Sequence, residues 1–283
     1  MHSGQRLELA MKTILLHVQD NETSVPRLEA ALDLARRFSA HLSCLHVTPI
    51  EAYTAIGAFD GAILAPDLRD ALEEGEEALR QSVSQQLERE DISWDYEQVT
   101  GHVATTLVRH AALSDVLVTG RESQFGQGRR ASQIGLVGDL LLRCRTPLFI
   151  PPPAEQKMDV SAPAMIAWDG SYEAANAIRA SLAYLQAAPE VHVLQVAREA
   201  ADGGFPDTKA LEYLSRHGVH AELRIAASQY DDVATLIVGE ASLMGAGVVV
   251  IGGYNHSRIG ELLFGGVTRS LLLNCPIPLL MAH

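Results

Sequence analysis

Residues 248–270 read VVVIGGYNHSRIGELLFGGVTRS, an apolar run that stops at one glycine pair and, after a polar loop, reaches a second. Four apolar residues bounded by glycine suit a strand buried on both faces, as in a parallel sheet. Gly252-Gly253 and Gly265-Gly266 let backbone amides come close to a ligand. The helix expected to begin near Val267 would aim unpaired N–H groups and a positive dipole end at the same place. That geometry suits phosphate, with His256, Ser257, Thr268 and Arg269 as side-chain donors. The loop is not a P-loop, because no lysine follows a glycine at the required spacing, and it lacks the G-x-G-x-x-G order of dinucleotide sites. On pattern alone, a turn that only reverses the chain is an equal reading.

Working outward from this stretch, the chain proves to be written twice. Residues 116–119 (VLVT) before Gly120 repeat residues 248–251 before Gly252. Val103-Ala104-Thr105 and Val233-Ala234-Thr235 each open the helix that precedes those strands. Residues 140–144 ahead of Pro147 mirror residues 271–275 ahead of Pro278. Nearer the start of each half, residues 14–19 (ILLHVQ) and 165–169 (MIAWD) are apolar runs ending in polar turns. Each leads into a helix pattern, Leu28, Ala31, Leu32, Ala35 and Phe38 in one, Ala174, Ile178, Ser181, Leu182 and Leu185 in the other. Spacings of three and four put each set on one helix face. Second strands follow at residues 42–47 and 191–196. Between the halves, Pro151-Pro152-Pro153 and the residues to Lys157 read as a stiff linker. The expectation is two α/β domains, residues 11–153 and 158–283, each a doubly wound parallel sheet covered by helices on both faces. In such sheets, ligands sit beyond the carboxyl ends of the strands.

Composition bounds the function. The chain has 283 residues, is 47% hydrophobic and 20% charged, and carries a formal net charge of −13. That charge repels polyphosphate backbones and anionic bilayers, so neither nucleic acid nor membrane is an expected partner. No run of about 18 apolar residues is present to span a bilayer. The first ten residues lack the apolar centre of a signal peptide and read as a tail without a structural role. Three cysteines, Cys44, Cys144 and Cys275, all in apolar settings, fit packing in a reducing cytoplasm better than a disulfide framework.

The glycine loop resembles the signature of the universal stress protein family, Gly-x2-Gly-x9-Gly-Ser/Thr after the fourth strand. Gly252 matches its first glycine and Gly265 its third, while Asn255 stands at the second and Gly266 replaces the hydroxyl residue. His256-Ser257, Gly260, Leu262-Leu263, Val267-Thr268, the run Ala167-Trp168-Asp169-Gly170-Ser171 and the closing Cys275-Pro276-Ile277-Pro278 also look like that family. The likeness covers residues 161–283 and, more loosely, 12–151. It implies a tandem protein of two Rossmann-like domains of the adenine-nucleotide alpha-hydrolase type, packed as a pseudo-dimer. It further implies an adenine nucleotide (ATP, ADP or AMP, with Mg as an accompanying ion) held chiefly by the second half. Carried over, Asp169 and the backbone at Ala167 and Trp168 meet base or ribose, and Val196 offers backbone to the adenine. Gly252, Gly253, Asn255, Gly265, Gly266 and Val267 cradle phosphates, with His256 and Thr268 as donors. Asn255 and Gly266 imply weaker ATP binding or a shorter nucleotide. The first half departs further: Gln19 stands at the aspartate position, Ser123 at the second glycine, and Ile134-Gly135 at the last pair. Gly126, Gly128, Arg129 and Arg130 form a different, basic loop there, which with Arg121 could hold an anion; a degenerate repeat kept for packing is the favoured reading.

Other candidates read as structural. His217 and His220 are three apart with no further ligand nearby and read as surface residues, not a zinc site. His17 and His46 lie inside strands, with Ala167 and Gln195 as their counterparts. Ser171 is not in a G-x-S-x-G elbow and reads as a helix cap. Residues 67–91, with Leu68, Leu72, Leu79, Val83 and Leu87 among glutamates, read as a solvated outer helix. The expected function is that of a cytoplasmic stress-response protein, not an enzyme, that alters its shape or its unidentified protein partners with nucleotide occupancy. It would exist as a monomer with an internal pseudo-dimer or as a homodimer. A nucleotide-free interaction scaffold of the same fold is the second reading and a slow ATP-hydrolysing enzyme the third.

Overall fold

The computed structural model describes residues 11–21, 23–50, 65–121, 135–152, 158–198, 207–228, 232–253 and 266–283. The first half runs β1 (Thr13–Val18), α1 (Ser24–Phe38), β2 (His41–Pro49), α2 (Ala65–Leu87), β3 (Trp94–Gly101), α3 (Val103–His110), β4 (Val116–Val118), α4 (Gly135–Arg143) and β5 (Leu148–Ile150). The second half runs β6 (Ala164–Trp168), α5 (Tyr172–Ala180), α6 (Leu182–Ala187), β7 (Val191–Arg198), α7 (Lys209–Arg216), β8 (Ala221–Ser228), α8 (Val233–Leu243), β9 (Val248–Gly252), α9 (Gly266–Asn274) and β10 (Leu279–Ala282). The helix expected across residues 174–185 is two helices. Ser181 Oγ donates to Ala177 O at 2.6 Å, and Ser181 N is shared between Ala177 O and Ile178 O, which turns the chain at that residue.

All ten strands belong to one sheet, ordered β3-β2-β1-β4-β5-β10-β9-β6-β7-β8. Each half therefore has the same internal order, first strand beside fourth, with the fifth strands meeting at the centre. The strand pairs are parallel except β5 with β10, where Leu279, Leu280 and Met281 face Ile150, Phe149 and Leu148 in antiparallel register. An antiparallel central pair relates two like units by an approximate two-fold, which is the geometry of a pseudo-dimer.

The core is divided by sheet face and not by half. Successive residues of a strand point to opposite faces. Accordingly Leu280 joins one apolar cluster with Ile14, Leu16, Ile166 and Val250, and Leu279 and Met281 join the other with Leu15, Leu117, Met165 and Val249. Both clusters run through both halves. Tyr184 ties the seam on one face: its ring lies 6.1 Å from Phe38 and 6.5 Å from Phe149, and its hydroxyl donates to Val160 O at 2.9 Å.

Two glycines explain how the strand ends meet the helices. A Cβ on Gly252 would lie 2.5 Å from Ala174 N and from Glu173 C, so only glycine lets β9 end against the first turn of α5. A Cβ on Gly120 would lie 2.1 Å from Thr23 Oγ1 at the start of α1. The repeated glycine is thus a packing requirement in both halves.

Helix α2 departs from a purely solvated reading. Glu73, Glu74 and Glu77 are exposed, but Glu76 is buried, accepting from Thr48 Oγ1 and, at 2.7 Å, from Gln98 Nε2. Its helical phase places it among Val83 and Leu87 on the inner face. Charge alone gave no sign of this, because the partners come from β2 and β3.

Candidate functional site

The carboxyl ends of β6 and β9 lie side by side, with α5 leaving one and α9 following the other. Between them is a cavity of about 480 Å³. Ala167, Trp168, Asp169, Val196, Gly252, Gly266, Val267 and Thr268 line it, eight of the twelve residues chosen from the sequence. Gly253 does not; its missing Cβ faces Leu141 of the first half, with Leu141 Cδ2 at 3.2 Å, so it serves the seam. Asn255, His256 and Gly265 lie outside the described residues, as do Arg129 and Arg130.

The walls follow from strand and helix periodicity. Leu194 and Val196, two apart on β7, point to one face of the sheet, and Val233 and Ile237, four apart on α8, close over them. Ile251 and Ala167 supply the floor. These apolar residues suit a flat, apolar ring system. Of them, Leu194, Val233, Ile237 and Ile251 escaped the sequence reading, although their two- and four-residue spacings were visible in it.

The mouth is polar. Gly170 has φ +78°, a left-handed turn that glycine adopts without strain, and it sends the chain from β6 into α5. Asp169 Oδ1 accepts Ser171 N at 2.9 Å, and Ser171 Oγ caps α5 by accepting Ala174 N at 3.1 Å, as expected. Asp169 is exposed while Glu173 and Thr268 are buried, and all three line the cavity. The first turn of α9, at Gly266, Val267 and Thr268, presents its backbone N–H groups where the chain enters the helix. Trp168 forms a wall, its Nε1 donating to Asp207 Oδ2 at 3.4 Å.

The positions equivalent by strand register in the first half differ. Ile14 opposite Val116 and Ala164 opposite Val248 fix His17 as the counterpart of Ala167, and Thr119 as that of Ile251. His17 is buried with Nδ1 3.4 Å from Thr119 Oγ1, and its pKa is pushed down to about 3 by burial, with Arg27 and His46 adding to the effect. Arg27 is also buried; its guanidinium donates to Thr23 O, Gln19 O and Asn21 Oδ1. His46 Nδ1 lies 3.1 Å from Val18 O. The expected structural roles of His17 and His46 accord with these contacts. Burial raises the Cys44 thiol to about 12 and also raises that of Cys275, so neither is an activated nucleophile. Among the described residues, no group of three His, Cys, Asp or Glu could hold a metal ion. Within the same residues, no helix is long and apolar enough to cross a membrane.

Residues 11–131 match the family model described as the Universal stress protein family. The match falls on the half whose loop departs further from the family signature. Among solved structures, a universal stress protein from Archaeoglobus fulgidus aligns over 95% of this chain and 97% of its own, at 16% identity and a TM-score of 0.71. A putative universal stress protein from Pseudomonas aeruginosa aligns over 96% of this chain and 93% of its own, at 16% identity and a TM-score of 0.54. No curated protein matches the chain. At these identities the structural likeness establishes the fold, a mostly parallel α/β sheet of Rossmann type.

Proposed function

We propose that the whole chain is a tandem universal stress protein, with units at residues 11–153 and 158–283, that binds an adenine nucleotide in the cavity of its second half. The observation that carries this reading is the cavity itself. Its volume of about 480 Å³ falls within the ligand-sized range, roughly 300–1,000 Å³. Its residues fit such a ligand. Apolar Ala167, Val196 and Ile251 suit the base, the carboxylate of Asp169 suits ribose hydroxyls, and the N-terminus of α9 with Thr268 suits phosphate. A magnesium ion would arrive with the phosphates. The protein acts by occupancy and not by turnover, in a cytoplasmic stress response through partners whose affinity depends on the bound state. Such coupling requires the two states to bind nucleotide unequally.

The test is to denature the purified protein and chromatograph what it releases, then titrate the native protein with ATP, ADP and AMP. Release of nucleotide, or saturable binding below about 1 mM, is the expected result. Absence of both leaves the nucleotide-free scaffold, and sustained product formation over many turnovers replaces binding with catalysis.

A further inference from the structure

Helix α5 borders the nucleotide cavity on one flank and a separate groove on the other. The groove encloses about 300 Å³ between α5 and α7, with Trp168, Tyr172, Ile178, Arg179, Lys209 and Tyr213 among its lining. Its floor is aromatic. The Trp168 indole is fixed by Asp207, while Tyr172 is 65% exposed with the Arg179 guanidinium 5.6 Å from its ring centroid. An adjoining space shares Tyr172 and Arg179 and adds Arg145 from the first half, together with Asn176. Three cations therefore gather beside an aromatic floor in a chain of net charge −13.

Among the described residues, no ion pair joins Arg145, Arg179 or Lys209 to a carboxylate. The ion pairs of arginine among the described residues involve Arg36, Arg69 and Arg216, not Arg145 or Arg179. Arg179 donates to Asn176 Oδ1. Asp207, two residues before Lys209, accepts from the indole N–H and from Lys209 N at 3.0 Å. The positive field also shows in Tyr172, whose pKa lies below its usual value through hydrogen bonds to Arg179 and Asn176 and the charges of Arg179 and Arg145. The corresponding hollow in the first half, about 140 Å³, sets Val18, Val25, Ser82 and Gln86 at its walls, and the one ring in its lining is the His17 imidazole. Its one cation, Arg27, is bound to carbonyl oxygens.

We propose that the groove binds a small anion with a flat aromatic body, an aromatic carboxylate. The ring lies against Trp168 and Tyr213, and the carboxylate meets Arg179 and Lys209. Aromatic faces supply apolar contact at little entropic cost, and charge-assisted hydrogen bonds fix the anionic end. The site is independent of the nucleotide reading, although Trp168 forms a wall of both.

Isothermal titration with 2-naphthoate tests it on the full chain. Saturable binding below about 5 mM is expected, weakened about tenfold or more in the Arg179→Glu/Lys209→Glu variant. Both residues are exposed, so the fold should persist, as circular dichroism can verify. The neutral analogue 2-naphthamide, on the unmodified chain, should bind about tenfold more weakly and decides the matter even where the variant misfolds. Equal affinity in the folded variant, equal affinity for the amide, or no binding of naphthoate overturns the proposal.

Discussion

The two halves share a strand order and a glycine at the end of the fourth strand, yet they furnish that junction differently. In the second half, Ala167 and Ile251 floor a cavity of about 480 Å³. In the first, His17 and Thr119 occupy the equivalent positions, buried and in contact with each other. The scaffold is therefore maintained by backbone requirements common to both halves. The two junctions differ in a few side chains at the carboxyl ends of β1 and β4 against those of β6 and β9. A duplicated fold can keep its architecture while the side chains at its strand ends diverge, because the backbone contacts that set the fold do not depend on them.

The glycine pair gives the largest expected effect and tests whether the shared element is architectural. Gly252→Val drives a side chain into the backbone of α5 and should cost about 3 kcal/mol or more. Gly120→Val meets side chains and not backbone, Thr23 Oγ1 and Cβ and Arg27 Cδ, and should cost somewhat less, about 1–3 kcal/mol. Denaturant titration of both variants checks the order. A tolerated Gly252→Val would mean that the strand end does not depend on this close approach. Loss of ligand binding in Gly252→Val is uninformative about the site, since the fold suffers first.

Exchanging the floor residues sharpens the contrast directly. Ala167→His with Ile251→Thr gives the second half the first half's side chains and should weaken nucleotide binding by about 2 kcal/mol, roughly thirtyfold in Kd. Calorimetric titration reads this. Unchanged affinity would separate the cavity floor from the ligand and weaken the reading of the two halves as open and closed versions of one site.

How much of this was legible in the sequence follows from the same residues. The duplication, the α/β order and the central strands could be read from VVVI and VLVT because strands buried on both faces are continuously apolar. The mouth residues Asp169, Ser171, Gly266 and Thr268 could be read because turns and helix starts demand particular residue types. The short central strands β5 and β10 were not individually legible, since LFI and LLMA are too brief for periodicity to identify. Their antiparallel union, which merges two expected sheets into one, depends on tertiary packing. Gly253 resembled a ligand-facing residue because its neighbour Gly252 marks the strand end, but it turns instead toward Leu141. The inward turn of Glu76 depends on partners more than twenty residues away.

The first half's buried imidazole predicts an acid response that Ala167, its counterpart in the second half, cannot show. His17 has a folded pKa of about 3, below its ordinary value near 6.5. Below about pH 6.5 the unfolded chain therefore takes up a proton that the folded chain refuses, and stability contributed by neutral His17 is lost as pH falls toward 3. The slope is about 1.4 kcal/mol per pH unit for one proton. Denaturant midpoints between pH 7 and pH 4 should fall less steeply in His17→Ala than in the parent. Identical slopes would place the acid sensitivity elsewhere.

The smallest effect concerns how each half begins its first helix. Ser171 holds an extended backbone, φ −72° and ψ 161°, and its Oγ accepts Ala174 N; Thr23 has φ −99° and ψ 6° and makes no such side-chain cap. Thr23 Oγ1 instead donates to Asn21 Oδ1 at 2.9 Å, and Arg27 Nη2 reaches back to the same oxygen at 2.8 Å. One hydroxyl thus does in the second half what a buried guanidinium and an asparagine do in the first. Ser171→Ala should cost about 1 kcal/mol and Thr23→Ala under about 0.5 kcal/mol, measured by urea denaturation. Equal costs would show that the two helix starts are interchangeable. The expected inequality follows from the partners: a serine hydroxyl alone caps the helix beside Asp169, whereas the arginine that secures α1 is committed to Thr23 O, Gln19 O and Asn21 Oδ1.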